Sequence, residues 1–179
     1  MVYVLLADGF EEIEALAFVD ILRRAEIDVM ITSIYENKIV KGSHGITVTA
    51  DIVITDIDKD DIEAIVLPGG MPGTLNLQKS IQVTELIEWA DNNNKYLGAI
   101  CAAPMVFGEM GILNGRKATC FPGFEKHLIG ATLKNEKVVK DGNVITAKGA
   151  GAASDFAHCF VMTLKDKETA DRIIKSMQY

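Results

Sequence analysis

Cys101 lies in the stretch "YLGAICAAPMVFGEMG" (96–111), where a short apolar run ends and a string of small residues begins. A cysteine that follows a strand and opens a helix has the geometry of a nucleophile elbow, which needs small neighbours because the backbone turns sharply. We expect the amides of the following helix to lower the pKa of the thiol. With an amide from Gly69-Gly70 they could also hold a developing oxyanion. A small buried hydrophobe is the alternative, and this stretch alone favours neither interpretation.

The second candidate feature is a group of three acids at the start of a predicted helix: Glu11, Glu12 and Glu14. Acids are favoured at a helix start by the helix dipole, so most of them are expected to be solvated. The helix follows the first predicted strand, at the sheet edge where Cys101 also lies, so one carboxylate could face the sulfur. A carboxyl beside a thiolate is expected to have a raised pKa and to donate a proton. Such a pair would serve as nucleophile and acid.

The elements that would position these side chains alternate between strand and helix. Apolar runs predict strands, alternating patterns around turns predict hairpins, and apolar residues at helical spacing predict helices. The predicted strands cover 2–7, 28–35, 63–70 and 95–100, the hairpins 37–54 and 136–149, and the helices 11–27, 80–93, 102–111, 152–164 and 167–177. This order predicts an α/β fold with a mostly parallel sheet, in which ligands bind at the carboxyl ends of the strands. The absence of a linker or repeat predicts a single domain, 1–179.

Composition limits the partners of the chain. It has 179 residues, a net charge of -7 and 49% hydrophobic residues. The acidic balance argues against nucleic acid or an anionic membrane as the main partner. We do not expect the first residues to form a signal peptide, and no apolar run approaches the roughly 20 residues that span a bilayer. Three cysteines without metal-site spacing suit a reducing compartment, so we expect a cytoplasmic protein without a bound metal.

The motifs "DGFEEIEA" (8–15), "VLPGG" (66–70) and "AICAAP" (99–104) together resemble the DJ-1/ThiJ/PfpI superfamily. The resemblance covers essentially the whole chain and is strongest for the branch of the parkinsonism-associated protein deglycase and bacterial ThiJ-type proteins. It implies a flavodoxin-like three-layer sandwich of the class I glutamine-amidotransferase type. It also implies a protein without a cofactor that forms a homodimer.

The resemblance assigns roles to single residues. The family's reactive cysteine falls on Cys101 and its protonated partner on Glu14. The pocket positions fall on Gly69, Gly70, Ala102 and Phe121. Protease-like members have a histidine where this chain has Ala102, so a cysteine protease is not expected. The human-type member has a histidine where this chain has Phe121, which leaves Glu14 as the expected proton-handling side chain.

The resemblance also places part of the dimer interface on the first helix and the hairpin that follows it. Asp20, Arg24 and His44 would then lie near the second subunit. The alternatives are an ordinary surface pair four residues apart for Asp20 and Arg24, and a solvated turn residue for His44.

Three functions remain open on this basis. The first is a cysteine-dependent glyoxalase or deglycase acting on a small-molecule carbonyl substrate, such as methylglyoxal or glyoxal, or on its protein adducts. The second is a redox sensor or stress chaperone working through oxidation of Cys101 to sulfinic acid. The third is a binding or structural dimer whose site has lost its activity.

Overall fold

The computed structural model describes residues 1–178, and its strands follow the predicted order. They are β1 (Val2–Leu6), β2 (Val29–Ser33), β3 (Ile39–Lys41), β4 (Thr47–Thr49), β5 (Ile52–Val53), β6 (Ala64–Leu67), β7 (Tyr96–Ile100), β8 (Lys117–Ala118), β9 (Thr132–Leu133), β10 (Val138–Asp141) and β11 (Val144–Ala147). Seven of them form the central sheet in the order β10-β11-β7-β6-β1-β2-β5. All neighbours in it are parallel except β10 and β11. The predicted mostly parallel α/β fold is therefore confirmed.

Residues 1–178 form six α-helices, which lie on both sides of the sheet. They are α1 (Glu12–Arg24), α2 (Gly73–Lys79), α3 (Ile81–Asn92), α4 (Pro104–Glu109), α5 (Ala153–Leu164) and α6 (Lys167–Ser176). Helix α6 packs against α5. Side chains alternate across a strand, so β1 sends Val4 into the core under α1 and α5, and Leu5 into the core under α3 and α4. The result is the three-layer sandwich that the resemblance implies.

Aromatic packing fixes α5 against α1 and the sheet. The rings of Phe18, Phe156 and Phe160 lie with their centroids 5.1–5.2 Å apart. Gly98 in β7 makes room for them, because a Cβ there would lie 2.6 Å from the Phe160 ring. This cluster holds α1, which carries the acidic residues, at a fixed distance from β7, which leads into Cys101.

Several elements differ from the prediction. Strands β8 and β9 pair with each other and were not predicted. Strand β5 lies at the end of the segment predicted as a hairpin (37–54), but it pairs in parallel with β2. Helix α2 was not predicted, because "GTLNLQK" contains only two large apolar residues, too few for a periodic signal. The helix predicted from residue 102 begins only at Pro104, so a turn separates it from Cys101. Within residues 1–178 no helix is both long enough and apolar enough to cross a membrane.

Candidate active site

Cys101 occupies a strained turn between β7 and α4. Its φ is +65°, in the left-handed region that residues other than glycine rarely adopt. Two backbone hydrogen bonds hold it there: its N–H donates to the Ala147 carbonyl at 2.9 Å, and its carbonyl accepts from the Phe121 N–H at 2.8 Å. Such strain costs about 1–3 kcal/mol and persists only where the surroundings enforce it. The turn has the elbow geometry expected from the sequence.

Glu14 faces the Cys101 turn from the first turn of α1. Its side chain is buried, with 1% of the residue exposed, and Oε2 accepts a hydrogen bond from the Gly69 N–H at 2.8 Å. Oε1 is also buried and has no hydrogen-bond partner within residues 1–178. Burial raises the pKa of Glu14 to about 7, against the lowering effects of the Gly69 amide and the Cys101 thiol. A carboxyl of this kind takes up and releases protons near neutral pH.

Gly69 permits this close approach of cysteine and carboxyl. A Cβ at this position would lie 2.6 Å from the Cys101 Cβ and 2.7 Å from Glu14 Oε2. To relieve these contacts, the Cys101 turn would have to move and Glu14 would have to leave its hydrogen bond with the Gly69 N–H. The position therefore requires glycine for steric reasons.

The thiol pKa differs from the expectation. Burial first, and then the charge and hydrogen bonding of Glu14, raise the pKa of Cys101 to about 12. Backbone amides of Ala102 and Gly70 interact with the thiol and act in the opposite direction, as expected, but they are outweighed. The predicted lowering is thus wrong for the state with an ionised Glu14. In that state the thiol keeps its proton and Glu14 is the group that can accept it.

The other side of the sulfur is bounded by Phe121 and Gly149. A Cβ built on Gly149 would lie 3.1 Å from the Phe121 ring and 3.8 Å from Cys101 Sγ. The Phe121 ring is 47% exposed, so it covers the sulfur only in part. A side chain at position 149 would thus contact both Sγ and the Phe121 ring, and glycine keeps such a side chain away from this side of the sulfur. Gly149 was not among the predicted site residues, although its place just after β11 in a run of small residues was an available signal.

Glu12 holds the β3–β4 hairpin against α1. The expectation that most of the three acids are solvated is wrong, because Glu12 and Glu14 are both buried. Its carboxylate accepts hydrogen bonds from the backbone N–H groups of His44 at 2.8 Å and Ile46 at 3.3 Å, and from Ser43 Oγ at 3.2 Å. The Nδ1 atom of His44 lies 2.9 Å from the same carboxylate. Burial alone raises the Glu12 pKa, but these hydrogen bonds outweigh it and hold the pKa at about 2. Glu12 therefore anchors the hairpin to α1.

Ligand atoms of Glu11, Glu12 and His44 lie within 4.8 Å of one another, a spacing that a metal ion could use. The carboxylate of Glu12 is already occupied by donors from the hairpin turn. His44 is part of this anchor, and its pKa is raised mainly by the hydrogen bond to Glu12. Its place near a second subunit stays a prediction.

Asp20 and Arg24 form a pair on the outer face of α1. The Arg24 Nε donates to Asp20 Oδ2 at 2.7 Å, and both side chains are about half-exposed. Within one chain this is a surface ion pair, which contributes little to stability. Its place in a subunit interface stays a prediction.

The family model described as "DJ-1/PfpI family" matches residues 1–163. The chain belongs to the DJ-1/PfpI family.

Relatives extend this match over nearly the full chain. "Protein DJ-1 homolog B" of Arabidopsis thaliana is 36% identical over 167 residues, which are 92% of this chain and 38% of that protein. The chain thus spans about two fifths of the length of the Arabidopsis relatives it matches. "Deglycase PYRAB04690" of Pyrococcus abyssi is 29% identical over 92% of this chain and 99% of its own length.

Solved structures of the family superpose closely. A cysteine-to-alanine mutant of a DJ-1 superfamily protein from Salmonella typhimurium has a TM-score of 0.94 and 34% identity, covering 99% of this chain and 97% of that one. The oxidized DJ-1 of Toxoplasma gondii has the same TM-score and coverage, with 32% identity.

Proposed function

We propose that this family member converts small reactive dicarbonyls, such as methylglyoxal and glyoxal, or their adducts on proteins, into hydroxy acids without a cofactor. One observation carries the proposal. The buried Glu14 carboxyl, with a pKa raised to about 7 and an unpartnered Oε1, lies against the Cys101 thiol at a strained turn. The similarity to a protein named as a deglycase supports the same chemistry.

The first step is addition of the thiol to the aldehyde carbon. As the S–C bond forms, Glu14 takes the thiol proton and delivers it to the former carbonyl oxygen, which gives a hemithioacetal. The backbone amides of Gly70 and Ala102, which interact with the sulfur, are suited to donate to the developing oxyanion. In this proposal the substrate approaches Sγ from the side of Gly149, which has no side chain.

The second step moves a proton within the adduct. Glu14 removes the proton from the carbon bonded to sulfur, and the electrons of that C–H bond form the C=C bond of an enediolate with its charge on the former ketone oxygen. Glu14 then returns this proton to the neighbouring carbon, the hydroxyl proton moves to the former ketone oxygen, and a thioester of the hydroxy acid results. Water cleaves the thioester and regenerates the thiol, so methylglyoxal and water yield lactate with no external oxidant. A carboxyl with a pKa near 7 is matched to both directions of proton transfer.

The test is a methylglyoxal turnover assay in which lactate is quantified. Cys101→Ser and Glu14→Gln are each expected to abolish turnover, because one lacks the nucleophile and the other the proton carrier. Cys159→Ser is the matched control, since Cys159 is a half-buried cysteine in α5. Full lactate formation by Cys101→Ser would show that the mechanism is wrong.

A second function, oxidation sensing, is favoured by the free Oε1 of Glu14. In its protonated form this carboxyl can donate a hydrogen bond to an oxygen added to Cys101, which would stabilise the sulfinic acid. The oxidized state named for the Toxoplasma gondii neighbour supports this possibility. Mass spectrometry after mild peroxide treatment should detect two added oxygens on Cys101, and Glu14→Ala should block them. Absence of any oxidation at Cys101 would count against a sensor.

We further propose that the protein is a homodimer built from α1 and the β3–β4 hairpin. Ile13 on α1 is 53% exposed and Ile46 beside the hairpin turn is 54% exposed, as expected for residues covered by a second subunit. Ile13→Glu should produce a monomer in light scattering after size exclusion. Ile81→Glu, at a 72% exposed site on α3, should leave the mass unchanged. A monomeric wild-type protein would contradict the proposal.

A further inference from the structure

A cavity lies beside the segment that carries Phe121 and is lined by the neighbouring residues Cys120 and Pro122. It is a cleft of about 240 Å³, and its walls include Cys120, Glu125, Lys134, Asn135 and Lys148. It is separate from the Cys101 site, because the Cys120 side chain packs into the core on one face of the sheet and Cys101 packs against the core on the other.

The charge of this cleft is opposite to that of the protein. Lys134 and Lys148 both line it, and neither forms an ion pair with any residue between 1 and 178. The Lys148 ammonium donates a hydrogen bond to Asn135 Oδ1, which holds it in the cleft. The one carboxylate on the walls, Glu125, accepts a hydrogen bond from the Gly123 N–H at 2.7 Å. Two ammonium groups therefore face one carboxylate in a chain whose net charge is -7.

We propose that this cleft binds a small oxyanion, a carboxylate or a phosphate, between the ammonium groups of Lys134 and Lys148. Both are partly buried, and a concave, partly desolvated setting strengthens their attraction for an anion. Charge-assisted hydrogen bonds from ammonium groups to such oxygens are among the stronger ones in proteins. The Asn135 side chain, already bonded to Lys148, adds an amide donor at the same wall.

The bound anion would be coupled to the Cys101 site through the backbone. Two pairs of consecutive residues connect the sites: Cys120 and Lys148 line the cleft, whereas Phe121 and Gly149 lie beside Cys101 Sγ. The Phe121 N–H also donates to the Cys101 carbonyl at 2.8 Å. An anion that draws Lys148 and the loop together thus changes the space beside the sulfur. The cleft is therefore an effector site for the reactive cysteine.

The experiment is a titration of the 179-residue chain with inorganic phosphate and, separately, with lactate. Binding is followed by amide chemical shifts in NMR at constant pH and ionic strength. Saturating shifts are expected at residues 120, 135 and 148, with smaller ones at Phe121 and Gly149. Comparing phosphate with lactate shows whether the cleft prefers a phosphate or a carboxylate. Only the preferred anion is expected to give shifts that saturate at low concentration. This measurement requires no turnover, so its failure is distinct from failure of the proposed enzyme activity.

The Lys134→Gln/Lys148→Gln variant tests the assignment. It is expected to bind the saturating anion at least about tenfold more weakly, since it loses both charged donors. Lys79→Gln/Lys165→Gln is the matched control, because it changes the net charge equally at lysines outside the cleft. The single variants show whether either lysine suffices if the double variant is unstable. Linear, non-saturating shifts with both anions, or equal binding by the cleft variant and the control, would overturn the proposal.

Discussion

Replacing Glu14 with glutamine should change how the stability of the protein depends on pH. Burial raises the Glu14 pKa from 4.5 to about 7, so the folded state binds this proton more tightly than the unfolded state does. The stabilising effect is fully present below pH 4.5 and is lost as the pH rises through 7. At about 1.4 kcal/mol per pH unit, the wild-type protein should lose about 2–3 kcal/mol of unfolding free energy between pH 5 and pH 8 from this group alone.

The assay is urea unfolding of both proteins at several pH values, followed by circular dichroism at equal protein concentration. Glutamine does not ionise, so Glu14→Gln should lack this loss, whatever constant offset its buried amide introduces. The low pKa of Glu12, about 2, affects stability only in more acidic solution and leaves this window clear. The pKa of His44 is raised above 6.5, so its titration also affects stability in this pH range, but it does so equally in both proteins. Equal pH dependence in the two proteins would refute the burial argument.

Three further predictions follow from the site. Gly149→Ala should slow alkylation of Cys101 by about ten- to a hundredfold, because its methyl group would lie 3.8 Å from Sγ and hinder the approach of the reagent. An unchanged rate would show that the reagent does not approach Sγ from the side of Gly149. Glu12→Ala should lower the unfolding free energy by about 2 kcal/mol in urea at pH 7, whereas Glu11→Ala should have little effect, because only Glu12 satisfies two hairpin amides. The alkylation rate of Cys101 should rise with pH and level off above about 7, as Glu14 becomes able to accept the thiol proton; Glu14→Gln should lack this inflection.

The sheet was predictable because its signals are local. Runs such as Val2–Leu6 are short, continuously apolar and bounded by turns, and helices separate them. Helix α2 was not predictable in the same way, because its stability comes from packing onto a tertiary surface rather than from its own pattern. The turn at Cys101 was only partly predictable from local sequence. Its small neighbours indicated a sharp turn, and the family motifs then favoured a reactive cysteine over a buried one.

The roles of the three acids could not be separated by the sequence alone. The helix dipole favours each of Glu11, Glu12 and Glu14 equally, and the difference between them comes from distant segments. The hairpin at residues 43–46 binds Glu12, and the turn after β6 binds Glu14. The thiol pKa was mispredicted for the same reason, since burial and the charge of Glu14 are tertiary effects that outweigh neighbouring amides.

Three local costs converge at the sheet edge where Cys101 lies. Cys101 has a left-handed backbone, Glu14 is an ionisable group out of water, and Gly69 gives up side-chain packing. Each would be relieved by a simple substitution, and each is needed to bring a thiol and a carboxyl into contact. A fold tolerates such costs together only where the resulting arrangement is used, because local and tertiary preferences otherwise agree. This convergence supports the proposal that Cys101 and Glu14 carry out the chemistry.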